Sequence, residues 1–574
     1  MLTVPHSVDL SSSKPRDSSS HAILDWGSAA NSLMSSLSST LTEGLGDRVK
    51  AAVLLHPSTS SRPLSQAHPT TPYVIHIGLV YNPQHAFRQV DHGPAATDTS
   101  TPSSIRFRNL WGDKAELRRF KDGSITESVV WEVKTVDEKA HIPTKIVRHL
   151  LHWHFAIQGD SIQAWQEPFD TLIKLPESIS RLYIETGSSM GFKGAITAFD
   201  ALVKECKGLD EQLPLALVAV SATSESLRYT SVFAPVPLPT SIASVLPQNA
   251  KYIHPIEFVL QFEKSVRWPD DLRAIQKMKL AFFERIATLL MSSIDGLKAS
   301  VVVGDGIDSS EIHDQGRLEI LTPEGWAFSV RIHNEREAFL FDRIIENKVN
   351  RLPHVKPQHQ DTKKNKEYHV AMEAKEAYIR QFIHAPRHHR AIAKLCHHFP
   401  AFAGTVRLVK RWFACHWFLH GHVSEEVIEL LCAQFFVSDG WEQKIEDGQG
   451  VERFGVPSSK ERGFAVVLEF FKDWKWEEGV FVPLYDLATE ELPVSPAAGV
   501  WAVSTLADQA GHVWTSHGPD AVVARRISAF AKATWEYLQG MEHGRLIIPV
   551  VFFFSRRSRS YILLANVHSF NNRL

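Results

Sequence analysis

Ile256-Glu257-Phe258-Val259-Leu260-Gln261-Phe262-Glu263 sets an apolar run rich in β-branched and aromatic residues between acidic ends. Such a run suits a pleated, largely buried strand, here Ile256–Phe262. A second run of this kind, Leu215–Ser221, precedes it, and helical periodicity covers Ala195–Leu209 before that. Downstream, the spacing predicts a helix over Asp270–Leu290, then a hairpin of Leu318–Leu321 and Trp326–His333 turning at Pro323-Glu324-Gly325. Alternation of helix and strand from His149 to His333 predicts an α/β domain.

Beyond it, Arg351–Lys366 is polar and basic with two prolines, and reads as a linker. Helices are predicted over Lys366–His384, Arg387–Phe399, Thr405–Leu419 and Ser424–Phe435, with Thr405 and Ser424 as N-caps. Arg462–Phe471 reads as a strand or a buried helix, Pro483–Pro496 as a loop, and Ala521–Leu538 as an amphipathic helix. On the N-terminal side, Leu10–Ser20 and Pro57–Pro72 are too rich in Ser, Pro and Thr to bury a core. Tyr73–Tyr81 reads as a strand, and Ala115–Phe120 with Ser124–Val133 as a hairpin whose Asp122-Gly123 pair suits a two-residue turn.

At 574 residues the chain needs several cores. Its 44% apolar and 22% charged content excludes wholesale disorder, collagen and coiled coil. A net charge of -2 gives no global field toward a polyanion, so any nucleic-acid partner must meet a local patch. Four scattered cysteines suit a reducing, intracellular compartment and not a disulfide framework. Leu546–Phe554, interrupted by Pro549, is about half the length a membrane span requires, so no membrane partner is expected.

Gly187-Ser188-Ser189-Met190-Gly191 matches the G-x-S-x-G of a nucleophile elbow, which would make Ser189 a hydrolase nucleophile if Arg181–Glu185 were a strand. The competing reading is a flexible loop. Cys396, His397, His398, Cys415, His416, His420 and His422 are possible zinc ligands, although both cysteines sit in apolar helical runs where they behave as small hydrophobes. Arg106, Arg108, Lys114, Arg118, Arg119 and Lys121 interleave with Phe107, Trp111 and Phe120, a mixture that can hold phosphates and stack bases. A solvated, salt-laced hairpin with core aromatics explains the same residues. Lys410-Arg411 is a lesser basic point.

The segment Phe107–Trp131, FRNLWGDKAELRRFKDGSITESVVW, resembles the signature of the Nrap family, the nucleolar RNA-associated proteins of the small-subunit processome. Leu213–Leu215 with Leu227–Phe233, Phe262–Asp271, and Val406–Trp412 with Ser424–Leu430 resemble the same family. The resemblance implies an α+β multidomain chain, the C-terminal half of a protein built from two modules similar to CCA-adding enzymes. After a disordered tail over 1–21, residues 22–140 would be a small α/β domain closing the first module. Residues 149–350 would be a degenerate nucleotidyltransferase-like domain and 366–510 a helical domain like those of poly(A) polymerase and oligoadenylate synthase. Residues 511–574 would begin a truncated C-terminal domain. It further implies a nuclear, nucleolar location, a role in pre-rRNA processing, and as partners pre-ribosomal RNA and processome proteins including a casein-kinase-containing subcomplex. Candidate RNA-binding residues are Arg106, Arg108, Arg118, Arg119, Lys121, Lys410 and Arg411.

A nucleotidyltransferase clamps two divalent metals with carboxylates one residue apart on a strand and a third nearby. With Leu215–Val220 as the first strand, the Gly-Ser turn would fall at Ser221-Ala222, which has no glycine. Glu225 is the only acid between Ser221 and Pro255; the next strand offers Glu257 and Glu263, six residues apart. The alternative register from Gly187-Ser188 offers only Asp200. The expectation is a non-catalytic scaffold with no catalytic residue, metal or cofactor. The alternatives are an active nucleotide-adding enzyme and a serine hydrolase.

Overall fold

The structure, a computed structural model, describes residues 4–9, 29–55, 74–95, 101–133, 136–185, 190–243, 245, 254–304, 311–349, 361–437, 456–485 and 500–542, apart from 83, 165 and 517. The stretches Leu10–Ser20, Pro57–Pro72 and Leu546–Phe554 lie outside them.

Strand β1 (Val4–Asp9) lies between β3 (Val74–Tyr81) and β7 (Ile162–Ala164), with β2 (Val49–Leu55) beyond β3, in an antiparallel sheet of order β2-β3-β1-β7. The expected disordered tail over 1–21 is therefore corrected at Val4–Asp9, which forms a backbone ladder on both sides. Helix α1 (Ala29–Leu45) buries Leu37, Leu41 and Leu45, four residues apart and so on one face. Between β3 and β7 run β4 (Val90–Ala95), α2 (Pro102–Trp111), β5 (Glu116–Arg119) and β6 (Ile125–Val130), the strands forming a sheet of order β4-β6-β5. Helix α3 (Ile142–Phe155) places Ile142, Ile146, Val147, Leu150 and Leu151 in the same core. That core thus extends past residue 140.

The β5–β6 hairpin is present, but its turn differs from the two-residue form. Phe120 and Ser124 close a three-residue loop, in which the Gly123 N–H donates to Phe120 O at 3.0 Å and only Gly123, at φ +85°, is left-handed. The Asp122 carboxylate accepts from the Ser124 amide at 3.0 Å and from its hydroxyl at 2.7 Å, which fixes the loop's exit.

After α4 (Glu167–Ile173) comes α5 (Glu177–Glu185), so Arg181–Glu185 is helical and not the expected strand. Helix α6 (Gly191–Gly208), β8 (Leu217–Ala222), β9 (Ile256–Phe262), α7 (Leu272–Ser293), β10 (Lys298–Val303), β11 (Gly316–Leu321) and β12 (Ala327–His333) build the α/β unit that the sequence predicts. Its sheet has the order β10-β11-β12-β9-β8; β9 and β12 run parallel and the other pairs antiparallel. β9 lies between two neighbours, which is why nearly all of it is apolar. Asp271 caps α7, accepting from the Ala274 amide at 2.9 Å.

Helix α8 (Arg336–Val349) leads toward α9 (Asp361–Tyr378), which continues through a π-helical turn, Ile379–His384, into α10 (Ala385–His398). Pro386 explains the interruption, because it has no N–H for the carbonyl four residues earlier and the widened turn absorbs the mismatch. Ala371, Ala374, Tyr378 and Phe382 belong to the core of the sheet unit, so the helical unit begins later than residue 366. It comprises α10, α11 (Phe402–Cys415), α12 (Glu425–Ala433), α13 (Lys460–Asp473), the parallel pair β13 (Val480–Val482) and β14 (Val503–Thr505), and α14 (Ala521–Glu542). Ser424 is the N-cap of α12; Thr405 lies inside α11, where its hydroxyl donates back to Ala401 O at 2.8 Å. Arg462–Phe471 is helical. Ala524, Ile527 and Ala531 of α14 join the core of Trp412, Phe464 and Trp501, so this helix packs on the helical unit and not in a separate domain. Helices α11 and α13 approach closely at Gly463, where an added Cβ would stand 2.1 Å from Thr405 Oγ1.

Candidate nucleic-acid interface and interdomain cleft

Thr101 caps α2, accepting from the Ser104 amide at 3.4 Å, and Pro102 fills the first turn, where no N–H is required. The helix turns Trp111 into the core, with Phe107 packed against it, and presents Arg106 and Arg108 outward. Arg106 pairs with Glu43 at 2.5 Å, Arg108 donates to the buried Glu127 at 2.5 Å, and Arg118 holds Glu116 at 2.8 Å. Arg119 and Lys121 stand exposed at the hairpin tip, and no described acid pairs with them. Phe120 leans on His92, with ring centroids 4.7 Å apart. The basic half of the expected patch is therefore on the surface, while its aromatics are structural and offer no stacking platform.

Lys410 and Arg411 are corrections: neither is a surface base. Lys410 Nζ is fully buried and donates to Glu225 at 2.8 Å, Glu425 at 2.7 Å and Glu429 at 2.7 Å. Arg411 is also buried, its guanidinium 5.3 Å from the centre of the Phe233 ring. Both lie on α11, whose tightly packed core position hides almost every residue.

Glu225, Glu425 and Glu429 are the one group of His, Cys, Asp and Glu ligand atoms close enough to share a cation among the described residues. An ammonium already stands between them. Arg228 donates to Glu429 at 3.0 Å, Thr230 at 2.6 Å, and His388 Nε2 at 2.5 Å, while Tyr485 donates to His388 Nδ1 at 2.7 Å. Burial alone would raise the Glu429 pKa, yet Arg228 and Lys410 outweigh it and hold the carboxyl well below its ordinary range. Burial pushes the His388 pKa down against the pull of Glu429, which fits the neutral tautomer these bonds require.

The network spans the seam between the sheet unit, which supplies Glu225, Arg228 and Thr230, and the helical unit, which supplies the rest. Beside it opens a cleft of about 530 Å³ lined by Glu257, Arg380, Gln381, His420, His422 and Trp514. On β9, Glu257, Val259 and Gln261 share a face, and the parallel partner β12 sets Ser329 beside Glu257 and Arg331 beside Val259. On β9 and β12 Glu257 alone offers a carboxylate to that face, where a metal clamp needs two or three, and Glu426 of α12 also lines the cleft. Arg331 stands on the same face, its charge balanced by Asp314, to which it donates at 3.3 Å. Glu263 follows the far end of β9, about 20 Å away at a strand's rise, and cannot join Glu257.

Ser189 lies outside the described residues, but the helix ending at Glu185 replaces the strand that a nucleophile elbow needs. Among the described residues the seven cysteines and histidines of the zinc reading do not converge; Cys396 is buried and His416 stacks on Phe418. The sequence reading missed Arg228 and Glu429 as partners. Their signal was a charge inside an apolar helical run, Glu429, which burial obliges to find a base.

Three family models match in succession: Nrap protein domain 3 over residues 1–156, Nrap protein nucleotidyltransferase domain 4 over 168–397, and Nrap protein PAP/OAS1-like domain 5 over 399–552. The U3 small nucleolar RNA-associated protein 22 of Schizosaccharomyces pombe is 31% identical over 515 residues, covering 86% of this chain and 42% of that protein. Its namesake in Saccharomyces cerevisiae is 28% identical, covering 70% and 29%. Nucleolar protein 6 of Homo sapiens is 29% identical, covering 88% and 42%. The chain thus spans less than half the length of these curated relatives. Among solved structures, mtPAP in complex with GTP covers 88% of this chain and 89% of that chain at 11% identity, with a TM-score of 0.30, and at that score the likeness carries no argument. The residues first quoted for a resemblance and three consecutive domain models agree: the chain belongs to the Nrap family.

Proposed function

We propose that this chain is a non-catalytic, RNA-associated scaffold of small ribosomal subunit biogenesis, working in the nucleolus on pre-ribosomal RNA among processome proteins, a casein-kinase-containing subcomplex included. The observation that carries the non-catalytic part is the β9–β12 face. There Glu257 has Val259, Ser329 and Arg331 where further carboxylates would have to stand. Without them two divalent ions cannot be held against a transferring phosphate. Of the other acids at the seam, Glu225 and Glu429 are committed to Lys410 and Arg228, and Glu426, which lines the same cleft as Glu257, joins no group of three ligand atoms among the described residues. The names of the relatives support the nucleolar and RNA-associated part. The hairpin bases Arg118, Arg119 and Lys121, with Arg106 and Arg108 on α2, are its candidate contacts.

We place the division of labour at the three cores: a closing α/β domain, a nucleotidyltransferase-like domain, and a helical poly(A)-polymerase-like domain. The test incubates the purified chain with labelled RNA and each nucleoside triphosphate, in magnesium and then in manganese, reading binding and chain extension together. Binding without extension is expected. Extension that Glu257→Gln abolishes would overturn the scaffold reading in favour of an active transferase.

A further inference from the structure

From Ala377 to Ser424 the chain has 48 residues with no aspartate or glutamate, yet seven lysines and arginines and eight histidines. At the chain's average density that window would hold about five acids. The fold sorts these bases into two sets. Arg407, Lys410, Arg411, His384 and His388 are buried. Of the others, Arg387, Arg390, Lys394 and His397 stand on α10, spaced i, i+3, i+7 and i+10 on a single helix face about 15 Å long, while Arg380 precedes that helix and His416, His420 and His422 follow α11. The opposite face, with His388, Ala391, Ile392, Leu395 and Cys396, is buried.

Arg390, His397 and His398 are exposed and Arg387 is partly so; no described acid pairs with Arg387 or Arg390. Ordinary solvated helices mix signs, so that neighbours at i,i+3 and i,i+4 attract. Like charges in a row repel one another and weaken the helix unless something anionic lies along them. Arg380, one turn before α10, extends the row to the rim of the interdomain cleft. A line of guanidinium groups in which no described acid pairs with Arg387 or Arg390 matches the repeating charge of a phosphodiester backbone, which such side chains hold without reading bases.

We infer that the outer face of α10, through Arg387 and Arg390, is a second, sequence-independent contact for the RNA backbone, distant in sequence from the β5–β6 hairpin. This rests on the RNA-associated reading above and gives it a location. The test measures the anisotropy of a labelled single-stranded RNA and a labelled RNA hairpin with the full chain between 50 and 200 mM salt. The forms compared are wild type, Arg387→Ala with Arg390→Ala, Arg387→Lys with Arg390→Lys, and Arg119→Ala with Lys121→Ala. The α10 alanine pair is expected to bind about tenfold more weakly, with the salt slope reduced by roughly 1.4 to 1.8. The lysine pair should keep the slope, and melting temperatures should match wild type. An alanine pair with wild-type affinity and slope overturns the inference, as does competition by an acidic polypeptide at concentrations where unlabelled RNA does not compete. If only the hairpin variant loses binding, α10 is excluded while RNA association stands. If no form binds RNA, both readings fall.

Discussion

Lys410 Nζ and Glu429 Oε1 stand 2.7 Å apart with both side chains fully buried, and each belongs to a larger set of buried charges that crosses the seam between two structural units. A buried charge that loses its partner costs several kcal/mol, because the survivor keeps its desolvation penalty. Lys410→Met keeps the stem and removes the ammonium, leaving three carboxylates to one guanidinium. Chemical denaturation should show a loss of about 3 kcal/mol. A loss under about 0.5 kcal/mol would mean the network is wet and weak.

Acidification should destabilise the chain in two stages. His333 and His384, buried, have pKa values pushed down to about 4 from 6.5, so both are neutral in the fold. As pH falls from 6.5 toward 4 the unfolded chain binds protons that the folded chain refuses, so stability drops, by about 2 kcal/mol per histidine at pH 5. Glu429 adds a second stage. Its pKa is depressed in the fold, so the stability it contributes is complete above the unfolded carboxylate range and is lost as pH falls through that range and below. Melting temperatures from pH 7.5 to 4.5 should fall continuously; a plateau between 6.5 and 5 would contradict the first stage.

Arg108→Ala should act on stability before it acts on RNA. Its partner Glu127 is buried on β6, and truncation leaves that carboxylate without its base. A loss of about 1–2 kcal/mol is expected. Equal stability with weaker RNA binding would transfer Arg108 to the contact surface.

Arg119→Ala with Lys121→Ala should leave stability unchanged, because no described acid pairs with either side chain, and should lower the salt slope of RNA binding by one to two units. Thermal melting beside a salt titration separates the two readouts. An unchanged slope assigns the hairpin tip to the solvated surface.

Gly463→Ala should destabilise by about 1–3 kcal/mol, since the new methyl would meet the Thr405 side chain where α11 and α13 cross. Thr405→Ser combined with it removes one of the opposing atoms and should recover part of the loss in denaturant unfolding. No recovery would place the strain elsewhere.

Most strands and helices were legible because their period was strong: Ile256–Phe262 has the expected bounds, and α7 differs from its predicted ends by a few residues. What failed depended on contacts remote in sequence. Val4–Asp9 looks like part of a tail until β3 and β7, about 70 and 155 residues later, supply its hydrogen bonds. Arg181–Glu185 is too short for period alone to separate strand from helix. Lys410 and Arg411 read as surface bases because sequence shows a charge but not the three glutamates that meet it, one of them 185 residues upstream. The lone Glu257 was legible, as one acid is visible where two must be. Its neighbours Ser329 and Arg331 became visible only with the register of β12.

The pairing of Arg228 with Glu429 also sets an order of events during synthesis. The two residues are 201 positions apart, so a ribosome adding 5–20 residues per second exposes the arginine about 10–40 s before its carboxylate emerges. The sheet unit is complete only once Phe382 has emerged, so over the last 47 of those 201 residues it carries a guanidinium and a glutamate, Glu225, at a surface destined for burial, and it cannot complete that surface alone. The nascent chain therefore holds this charged surface open until α11 and α12 emerge to fill it.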